Sequence, residues 1–248
     1  MKNKEKTLKI KLILFAALVL TTLGAAQANG QIAKTPDLIL TGASVTYLKD
    51  LDALVFEQRV QGTAGGTKPK AVGKLDGAPV LGYVFPTTLK SNDVGFGATD
   101  GIVALAVTSH PDFDDSPLWD ENNDGVYDND GLVYHTHWVV LVEDKRVPGG
   151  LSVKEFHKTD AVVVPPTAPK MPMFMDSPGY GVTTSGNTLK VIVPAQRINR
   201  KTDFKFDAVT AYMEVFTGDH HTKPMLGVYE VYSVLSKKLT LPYSVRIK

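Results

Sequence analysis

The sequence predicts an all-β protein whose strands form an antiparallel β-sandwich. Short apolar and β-branched runs recur along the chain, and turn residues such as Asp76-Gly77 and Gly149-Gly150 separate them. After residue 28, no window of about eleven residues keeps the apolar period of ~3.6 residues that is typical of an amphipathic helix. Hydrophobic residues make up 43% of the 248 residues, which is enough for two sheets to bury a shared core.

The N-terminal segment has the three parts of a secretory signal peptide. Five lysines within residues 2–11 precede an apolar run, 12–20, and Ala26-Gln27-Ala28 supplies the small-residue pattern of a cleavage site. We expect cleavage after Ala28, which leaves a single domain of residues 29–248. The apolar run is too short to cross a hydrocarbon core of ~30 Å, and no other stretch approaches ~20 apolar residues. The mature chain is therefore predicted to be periplasmic or extracellular, without a membrane span.

Ten apolar runs of the mature chain are predicted as strands because each is rich in β-branched or aromatic residues and ends at turn residues. In chain order, they cover residues 44–48, 54–60, 80–85, 102–108, 132–142, 161–164, 189–193, 209–216, 225–234 and 239–245. The proline-rich stretch 165–178 interrupts this series. We expect it to be a crossover between the sheets or a linker between two lobes.

Composition excludes several classes of protein. Cysteine is absent, which excludes disulfide scaffolds, cysteine-ligated zinc, iron–sulfur clusters, blue-copper sites and cysteine nucleophiles. The formal net charge of +1 gives no reason to expect a nucleic-acid partner. Neither a Gly-x-Ser-x-Gly elbow nor a His-Glu-x-x-His motif occurs.

Negative charge is concentrated in one part of the chain. Between Lys90 and Lys145, 54 consecutive residues contain no lysine or arginine but contain twelve aspartates and glutamates. Carboxylates crowded into a loop repel one another, and a hard cation that accepts their oxygens relieves this repulsion. The densest part, residues 120–131, reads DENNDGVYDNDG.

This segment resembles the D-x-[DN]-x-[DN]-G calcium loop of EF-hands and the Asp-rich repeats of thrombospondin type 3 modules. The resemblance implies structural calcium and a sharp turn at Gly125. The implied calcium ligands are Asp120, Asn122, Asp124, the carbonyl of Val126, Asp128 and Asp130. The predicted fold thus becomes an antiparallel β-sandwich with a calcium-binding loop inserted before a central strand.

The segment also departs from the EF-hand pattern. The twelfth position, a bidentate glutamate in EF-hands, is Gly131 here. Asp130 or one of Asp112, Asp114 and Asp115 would have to complete the ligand shell. The alternative is a solvated acidic loop that binds no ion tightly.

A His-x-His pair follows the acidic segment. In a strand, alternate residues share a face, so His135 and His137 point the same way, together with Val139 and Leu141. The two imidazoles are separated by ~6.6 Å along the strand and could share one metal ion. Alternatively, they hydrogen-bond to carboxylates of the acidic loop. His110 could join either the calcium region or this pair.

The pair belongs to a longer local pattern. His135-x-His137-Trp138, followed by Glu155-x-His157, resembles the zinc site of α-carbonic anhydrases, where a His-x-His strand lies beside one that carries Glu-x-His. The resemblance implies that His135, His137 and His157 hold zinc, which lowers the pKa of a bound water to ~7. The Ser-Leu-Thr-Thr-Pro-Pro stretch of that family does not occur in this sequence.

Three methionines raise the alternative of copper. Met171, Met173 and Met175 place three thioethers on one side of an extended segment, and soft sulfur ligands suit Cu(I). Methionine is also a common filler of apolar gaps, so the segment could instead pack at an edge of the sandwich.

Two functions agree with these patterns. The first is an exported, calcium-stabilised binding protein whose partner is a small molecule, a carbohydrate or an envelope protein. The second is a protein that binds zinc or copper, or a zinc-dependent hydrolase or hydratase, that uses His135 and His137.

Overall fold

The computed structural model describes residues 32–116, 120, 124–125, 130–157 and 159–248. In these ranges the regular elements are fourteen strands and four short 3-10 turns. The strands are β1 (Leu40–Leu48), β2 (Ala53–Val60), β3 (Pro79–Pro86), β4 (Ile102–Ser109), β5 (His135–Glu143), β6 (Leu151–Val153), β7 (Met175–Asp176), β8 (Val182–Ser185), β9 (Thr188–Pro194), β10 (Lys205–Phe206), β11 (Val209–Val215), β12 (Leu226–Val234), β13 (Tyr243–Ser244) and β14 (Arg246–Ile247). The 3-10 turns are Pro36–Leu38, Ser91–Val94, Asp130–Leu132 and Ala195–Ile198.

The all-β class and the antiparallel sheets are confirmed, but the larger sheet is a closed barrel. One sheet has five strands in the order β14-β1-β2-β9-β8. The other has the order β4-β3-β11-β12-β6-β5-β7, and an additional pairing of β4 with β5 closes six of its strands into a barrel. The predicted β-sandwich is corrected in this respect. Closure pairs the edges that a sandwich would leave open.

Strand alternation divides the apolar residues of the barrel wall into two cores. On β3, Leu81 and Phe85 face the five-stranded sheet, where the ring of Phe85 meets that of Phe56 edge-on, with centroids 5.3 Å apart. Val80 and Val84 of the same strand belong to a second core, inside the barrel. Burial of a large apolar side chain contributes ~1.5–3 kcal/mol, so both cores stabilise the fold.

Strand β5 alternates in the same way. Trp138 and Val140 belong to the outer core, against the five-stranded sheet, whereas Val139 and Leu141 belong to the core inside the barrel. This alternation is the one that the sequence predicts. It directs the side chains of His135 and His137 toward the barrel interior.

Two of the predicted strands are wrong or incomplete, and several short strands are absent from the prediction. Residues 161–164 form no strand, because the segment has no neighbouring strand to pair with and Val163 is 63% exposed. Within the predicted strand 239–245, only Tyr243–Ser244 (β13) is a strand. Strands β6, β7 and β8 are absent from the prediction because the first two have only three and two residues, and β8 is mostly Thr and Ser.

Candidate metal centre

Four buried side chains meet at one end of the barrel interior. They are His110, Asp115, His135 and His137, and one ligand atom of each lies within 4.8 Å of the others. All four residues are at most 7% exposed. Such a group of three imidazoles and one carboxylate could hold a metal ion.

Strand register brings the three histidines together. In the pairing of β4 with β5, Ala106 lies opposite His137 and Thr108 lies opposite His135, and opposed residues of an antiparallel pair share a face. His110, two residues beyond Thr108, continues that face. Its backbone N–H donates to the carbonyl of Gly131 at 2.6 Å, which extends the contact between the two chain segments past the end of β4.

Asp115 comes from the connection between β4 and β5, and one of its oxygens is the centre of the group. Its Oδ1 lies 3.1 Å from Nε2 of His135, 3.3 Å from Nε2 of His110 and 3.5 Å from Nε2 of His137. The Nε2 atoms of His110 and His135 are themselves 3.0 Å apart. Three ring nitrogens and a carboxylate oxygen thus converge on one small volume.

The opposite nitrogen of each ring is bound to a protein oxygen. Nδ1 of His110 lies 2.8 Å from the carbonyl of Phe113, and Nδ1 of His135 lies 2.6 Å from the carbonyl of Val133. A carbonyl oxygen only accepts, so in both rings Nδ1 carries the hydrogen. Nδ1 of His137 lies 3.0 Å from Oγ of Ser177.

This tautomer directs lone pairs at one another. With hydrogen on Nδ1, the neutral rings of His110 and His135 present their Nε2 lone pairs to each other and to the Asp115 carboxylate. Lone pairs at that distance repel unless a cation, either a proton or a metal ion, lies among them. Outer hydrogen bonds that fix the ring orientation in this way are characteristic of metal-ligating histidines.

Burial and neighbouring groups set the charge states. Burial lowers the pKa of His137 to about 3, although the attraction of Asp115 opposes this shift. Burial alone would raise the pKa of Asp115, but His137 and His110 and the hydrogen bonds of His110 and His135 hold it well below its usual value. A neutral imidazole and an ionised carboxylate are the forms that bind metal ions.

Gly131 holds the histidine end of the site in place. A Cβ at this position would collide with the carbonyl oxygens of Phe113 and His110 and would lie 2.7 Å from Nδ1 of His110. Only a residue without a side chain permits this close approach. The carbonyl of Phe113, which accepts from Nδ1 of His110, and the carbonyl of His110 thus both pack directly against Gly131.

The barrel interior next to the group contains a cavity of about 140 Å³. His110, Asp115 and His137 line one end of it, together with Thr108. The other side chains that line it are apolar, and four of the six methionines of the chain are among them. Those methionines are Met171, Met173, Met175 and Met213.

The histidine set of this group differs from the one implied by the carbonic anhydrase resemblance. His157 is exposed and does not belong to it. The third histidine is His110, for which the sequence left two assignments open. Glu155, the other residue of that pattern, lies instead near Arg146 and His220.

The predicted calcium residues lie only in part within the described ranges. The Asp120 carboxylate accepts the backbone N–H groups of Asp124 and Gly125, at 3.0 and 2.7 Å, and Gly125 has a φ of +81°. Asp130 is fully buried. The remaining three, Asn122, Val126 and Asp128, lie outside the described residues, and calcium binding stays a prediction.

Among the carboxylates that could complete the calcium shell, Asp115 contacts the histidines in the structure. Asp112 accepts the backbone N–H groups of Val72 and Gly73, and Asp114 accepts that of Ser116. Asp115 and the imidazoles therefore do interact, as the hydrogen-bonding alternative for the His-x-His pair expects.

The three methionines of segment 171–175 lie against the barrel core. Met173 and Met175 are buried within it, and Met171 packs against it partly exposed. Residue Met175 is in β7, which pairs with β5 at the end of the seven-stranded sheet. This placement agrees with the apolar packing alternative, and copper at the thioethers stays a prediction.

Sequence reasoning left open which carboxylate of the acidic segment would contact the histidines, and it did not single out Asp115. A signal for His110 did exist. Ala104, Ala106, Thr108 and His110 alternate along one face of β4, so His110 continues the inward face by parity alone. Strand parity alone could not predict that β4 pairs with β5.

No protein-family model, curated protein or solved structure matches the chain significantly. Within the part of the chain that the structure describes, none of the helices has the length and apolar character needed to cross a membrane.

Proposed function

We propose that this protein binds one Zn²⁺ ion through His110, Asp115, His135 and His137. One observation carries the proposal. Three buried Nε2 atoms lie within 3.5 Å of a single oxygen of Asp115, while the Nδ1 atom of each ring is bound to another protein oxygen. A set of lone pairs fixed in this way binds a cation with little reorganisation.

The donor set favours zinc over the other two metals considered. Calcium takes six to eight oxygen ligands, and Cu(I) prefers thiolate or thioether sulfur, whereas imidazole nitrogen and carboxylate oxygen suit Zn²⁺. A tetrahedral zinc ion with bonds of ~2.0–2.1 Å separates its ligand atoms by ~3.3 Å. The separations of 3.1–3.5 Å between Asp115 Oδ1 and the three ring nitrogens agree with this value.

Zinc at this position would also stabilise the barrel. Its ligands come from β5, from the residue just after β4 and from the connection between these strands, which together close the barrel. A metal that binds the folded chain and not the unfolded one adds its binding free energy to stability. The protein makes no disulfides, so a bound ion is one means to stabilise an exported chain.

The test is the metal content of the mature chain, residues 29–248, purified without a histidine tag and measured by elemental mass spectrometry before and after chelator treatment. We expect about one zinc ion per chain, lost in the His135→Ala, His137→Ala double variant. The matched control is His220→Ala, His221→Ala, which removes two histidines outside the group and should retain the metal. Absence of zinc from the wild-type chain, or equal zinc in both double variants, would refute the proposal.

Calcium at residues 120–131 is the second candidate, supported by the Asp120 hydrogen bonds and the left-handed conformation of Gly125. Its test is the melting temperature of Asp124→Ala in millimolar calcium. A calcium-stabilised loop predicts a lower value than that of the wild type. An unchanged melting temperature would rule out a structural role for calcium there.

Export to the periplasm or the cell exterior is part of the proposal and rests on segment 1–28. N-terminal sequencing of the exported chain tests it, with Asn29 as the expected first residue. A partner among small molecules, carbohydrates or envelope proteins agrees with such a location.

A further inference from the structure

We propose that the barrel cavity is the ligand pocket of the zinc centre. It takes a small, uncharged and mostly apolar molecule with a single oxygen-bearing group that points at the metal. This inference rests on the proposed function, because it assigns a ligand class to the same site. Three features support it: the size of the cavity, its apolar walls, and two polar atoms on residues at the end of the cavity beside the histidines.

The size of the cavity limits the ligand. Its volume of about 140 Å³ is close to that of engineered apolar cavities of ~150 Å³ that bind benzene. Apart from Thr108, His110, Asp115 and His137, all of the residues that line it are apolar. A charged group placed among them would lose its hydration without compensation, so the ligand body must be apolar.

Two buried polar atoms on residues that line the cavity have no hydrogen-bond partner among the described residues. They are Oγ1 of Thr108 and Nε2 of His137, whose residues are 5% and 2% exposed. A buried polar group without a partner destabilises the fold, so a ligand that formed a hydrogen bond with it would recover part of that loss. Zinc would engage His137, which leaves the Thr108 hydroxyl for the ligand.

Register places this hydroxyl beside the metal ligands. Thr108 lies directly opposite His135 in the β4–β5 pair, so their Cβ atoms are ~4.5–5.5 Å apart on the inward face. A hydroxyl can both donate and accept, and it can therefore hold an alcohol, a carbonyl or a bound water.

The ligand would reach the zinc ion from the cavity side. His110, Asp115 and His137 line the cavity, whereas His135 does not. A zinc ion at the group would therefore present to the cavity the face bounded by those three ligands. Zinc can expand from four to five ligands, so an exogenous oxygen could bind on that face.

The wall next to Thr108 is adaptable. Gly82 has no side chain, and a Cβ there would lie 2.9 Å from Cε of Met213 and 3.6 Å from Cγ2 of Thr108. The flexible Met213 side chain thus occupies the space next to Thr108. Methionine repacks readily around different shapes, which suits a pocket that closes on a small apolar ligand.

The experiment uses the mature chain with cobalt in place of zinc and three probes of similar size: cyclopentanol, cyclopentane and cyclobutanecarboxylate. Binding is measured by ligand-observed nuclear magnetic resonance, and the visible cobalt bands report coordination. We expect cyclopentanol to perturb the cobalt bands and to bind at least ~10-fold more tightly than either of the other probes.

Two variants locate the binding. Thr108→Val, which is close to isosteric, should weaken cyclopentanol binding to about the level of cyclopentane without changing the cobalt content. Ala211→Leu should fill the cavity and abolish binding of all three probes, and Ala106→Val is the milder substitute if Ala211→Leu does not fold. Both alanines line the cavity and neither belongs to the metal group.

Several outcomes would overturn the inference. Equal affinity for cyclopentane and cyclopentanol would refute a polar contact between the ligand and the end of the cavity. Tighter binding of the carboxylate would refute an uncharged ligand. If no probe binds to fully cobalt-loaded protein, the cavity is not a ligand pocket. In each of these cases the metal centre itself stands. If the chain takes up no cobalt, the proposed function fails first, so the two failures are distinguishable.

Discussion

One carboxylate oxygen organises the candidate metal centre at the scale of single residues. Oδ1 of Asp115 faces Nε2 of His110, His135 and His137, and two of those nitrogens are 3.0 Å from each other. Its negative charge is what makes a cation favourable at a point where burial disfavours any charge. A neutral side chain of the same shape would keep the packing and lose this attraction.

The variant Asp115→Asn tests that role. We expect the Kd for Zn²⁺ to rise at least ~100-fold, because a direct ligand and its charge are removed, and the loss of outer partners alone typically costs ~10–100-fold. The measurement is competition against a chromophoric chelator at neutral pH.

The neighbouring variant Asp114→Asn is the matched control. Asp114 lies outside the metal group, and its Oδ1 accepts the backbone N–H of Ser116, a bond that asparagine can also accept. Its zinc affinity should equal that of the wild type. Equal affinity for zinc in both variants would show that Asp115 is not a ligand.

At the scale of elements, the pairing of β4 with β5 both closes the barrel and assembles the site. The two strands are antiparallel, so the end of β4 and the start of β5 lie together, and their inward faces bring Thr108, His135 and His137 side by side. The connection between these strands supplies Asp115 and returns through Gly131. The position of the site is thus a consequence of barrel closure.

Gly131→Ala is predicted to damage this end of the barrel. Its Cβ would collide with the carbonyl oxygens of Phe113 and His110, and forced overpacking typically costs ~1–3 kcal/mol. Urea unfolding should show a loss of that size, and zinc affinity should fall because the His110 ring loses its position. Gly42→Ala is the control, since a Cβ on that β1 residue would meet nothing within 4 Å. Wild-type zinc affinity in Gly131→Ala would contradict the role given to Gly131.

The turn from β5 to β6 depends on hydrogen bonds to the Asp144 carboxylate. These bonds predict that the stability of the fold changes at low pH. Its carboxylate accepts bonds from the Arg146 backbone N–H and Nε, both at 2.9 Å, and from Oγ of Ser152 at 2.8 Å. The hydrogen bond of the Arg146 side chain, above all, lowers the pKa of Asp144 from 3.8 to about 2.

Because the folded-state pKa is lowered, the stabilising contribution is fully present above pH ~4 and is lost as the pH falls toward 2. We expect Asp144→Asn to lower the free energy of unfolding by ~1–2 kcal/mol at pH 7. The difference from the wild type should shrink toward zero at pH 2. Urea unfolding of both proteins at the two pH values measures it, and a constant difference would argue against ionisation as the cause.

The sequence predicts local alternation well and long-range pairing poorly. The inward direction of His135 and His137 follows from the period of a strand, and most of the long strands were predicted close to their observed bounds. Barrel closure was not, because it joins β4 to β5 across a long connection and β5 to β12 through β6, which has only three residues. An alternating pattern is compatible with a sandwich and with a barrel alike.

The same limit explains why the buried group contains His110 and not His157. The resemblance of Glu155-x-His157 to a known zinc strand implies His157 as a ligand, but His157 is exposed and lies outside the group. The acidic neighbours of Asp115 in sequence make it one of several carboxylates that could complete a calcium shell. Its neighbours in space are imidazoles, and only the fold determines those.

At the scale of the whole molecule, the protein has an apolar barrel interior with polar groups at one end and a sheet packed on its outer face. The outer core depends on aromatic contacts such as Phe56 with Phe85 and Trp138, at centroid distances of 5.3 and 6.3 Å. The inner core is built of smaller aliphatic residues and methionine and encloses the cavity. A metal ion at the proposed site would therefore bind next to the cavity, where the packing is least complete.

Metal binding at this site should also raise the stability of the whole chain. A ligand that binds only the folded state adds RT ln(1 + [L]/Kd), which is ~4.1 kcal/mol at a thousandfold excess over Kd. Calorimetry of the mature protein should therefore show a melting temperature that rises with zinc concentration and falls after chelation. The His135→Ala, His137→Ala variant should melt at a temperature independent of zinc, whereas the His220→Ala, His221→Ala variant should respond like the wild type. A zinc response equal in all three proteins would place the stabilising ion elsewhere, and no response in any would remove the metal from the account of this barrel.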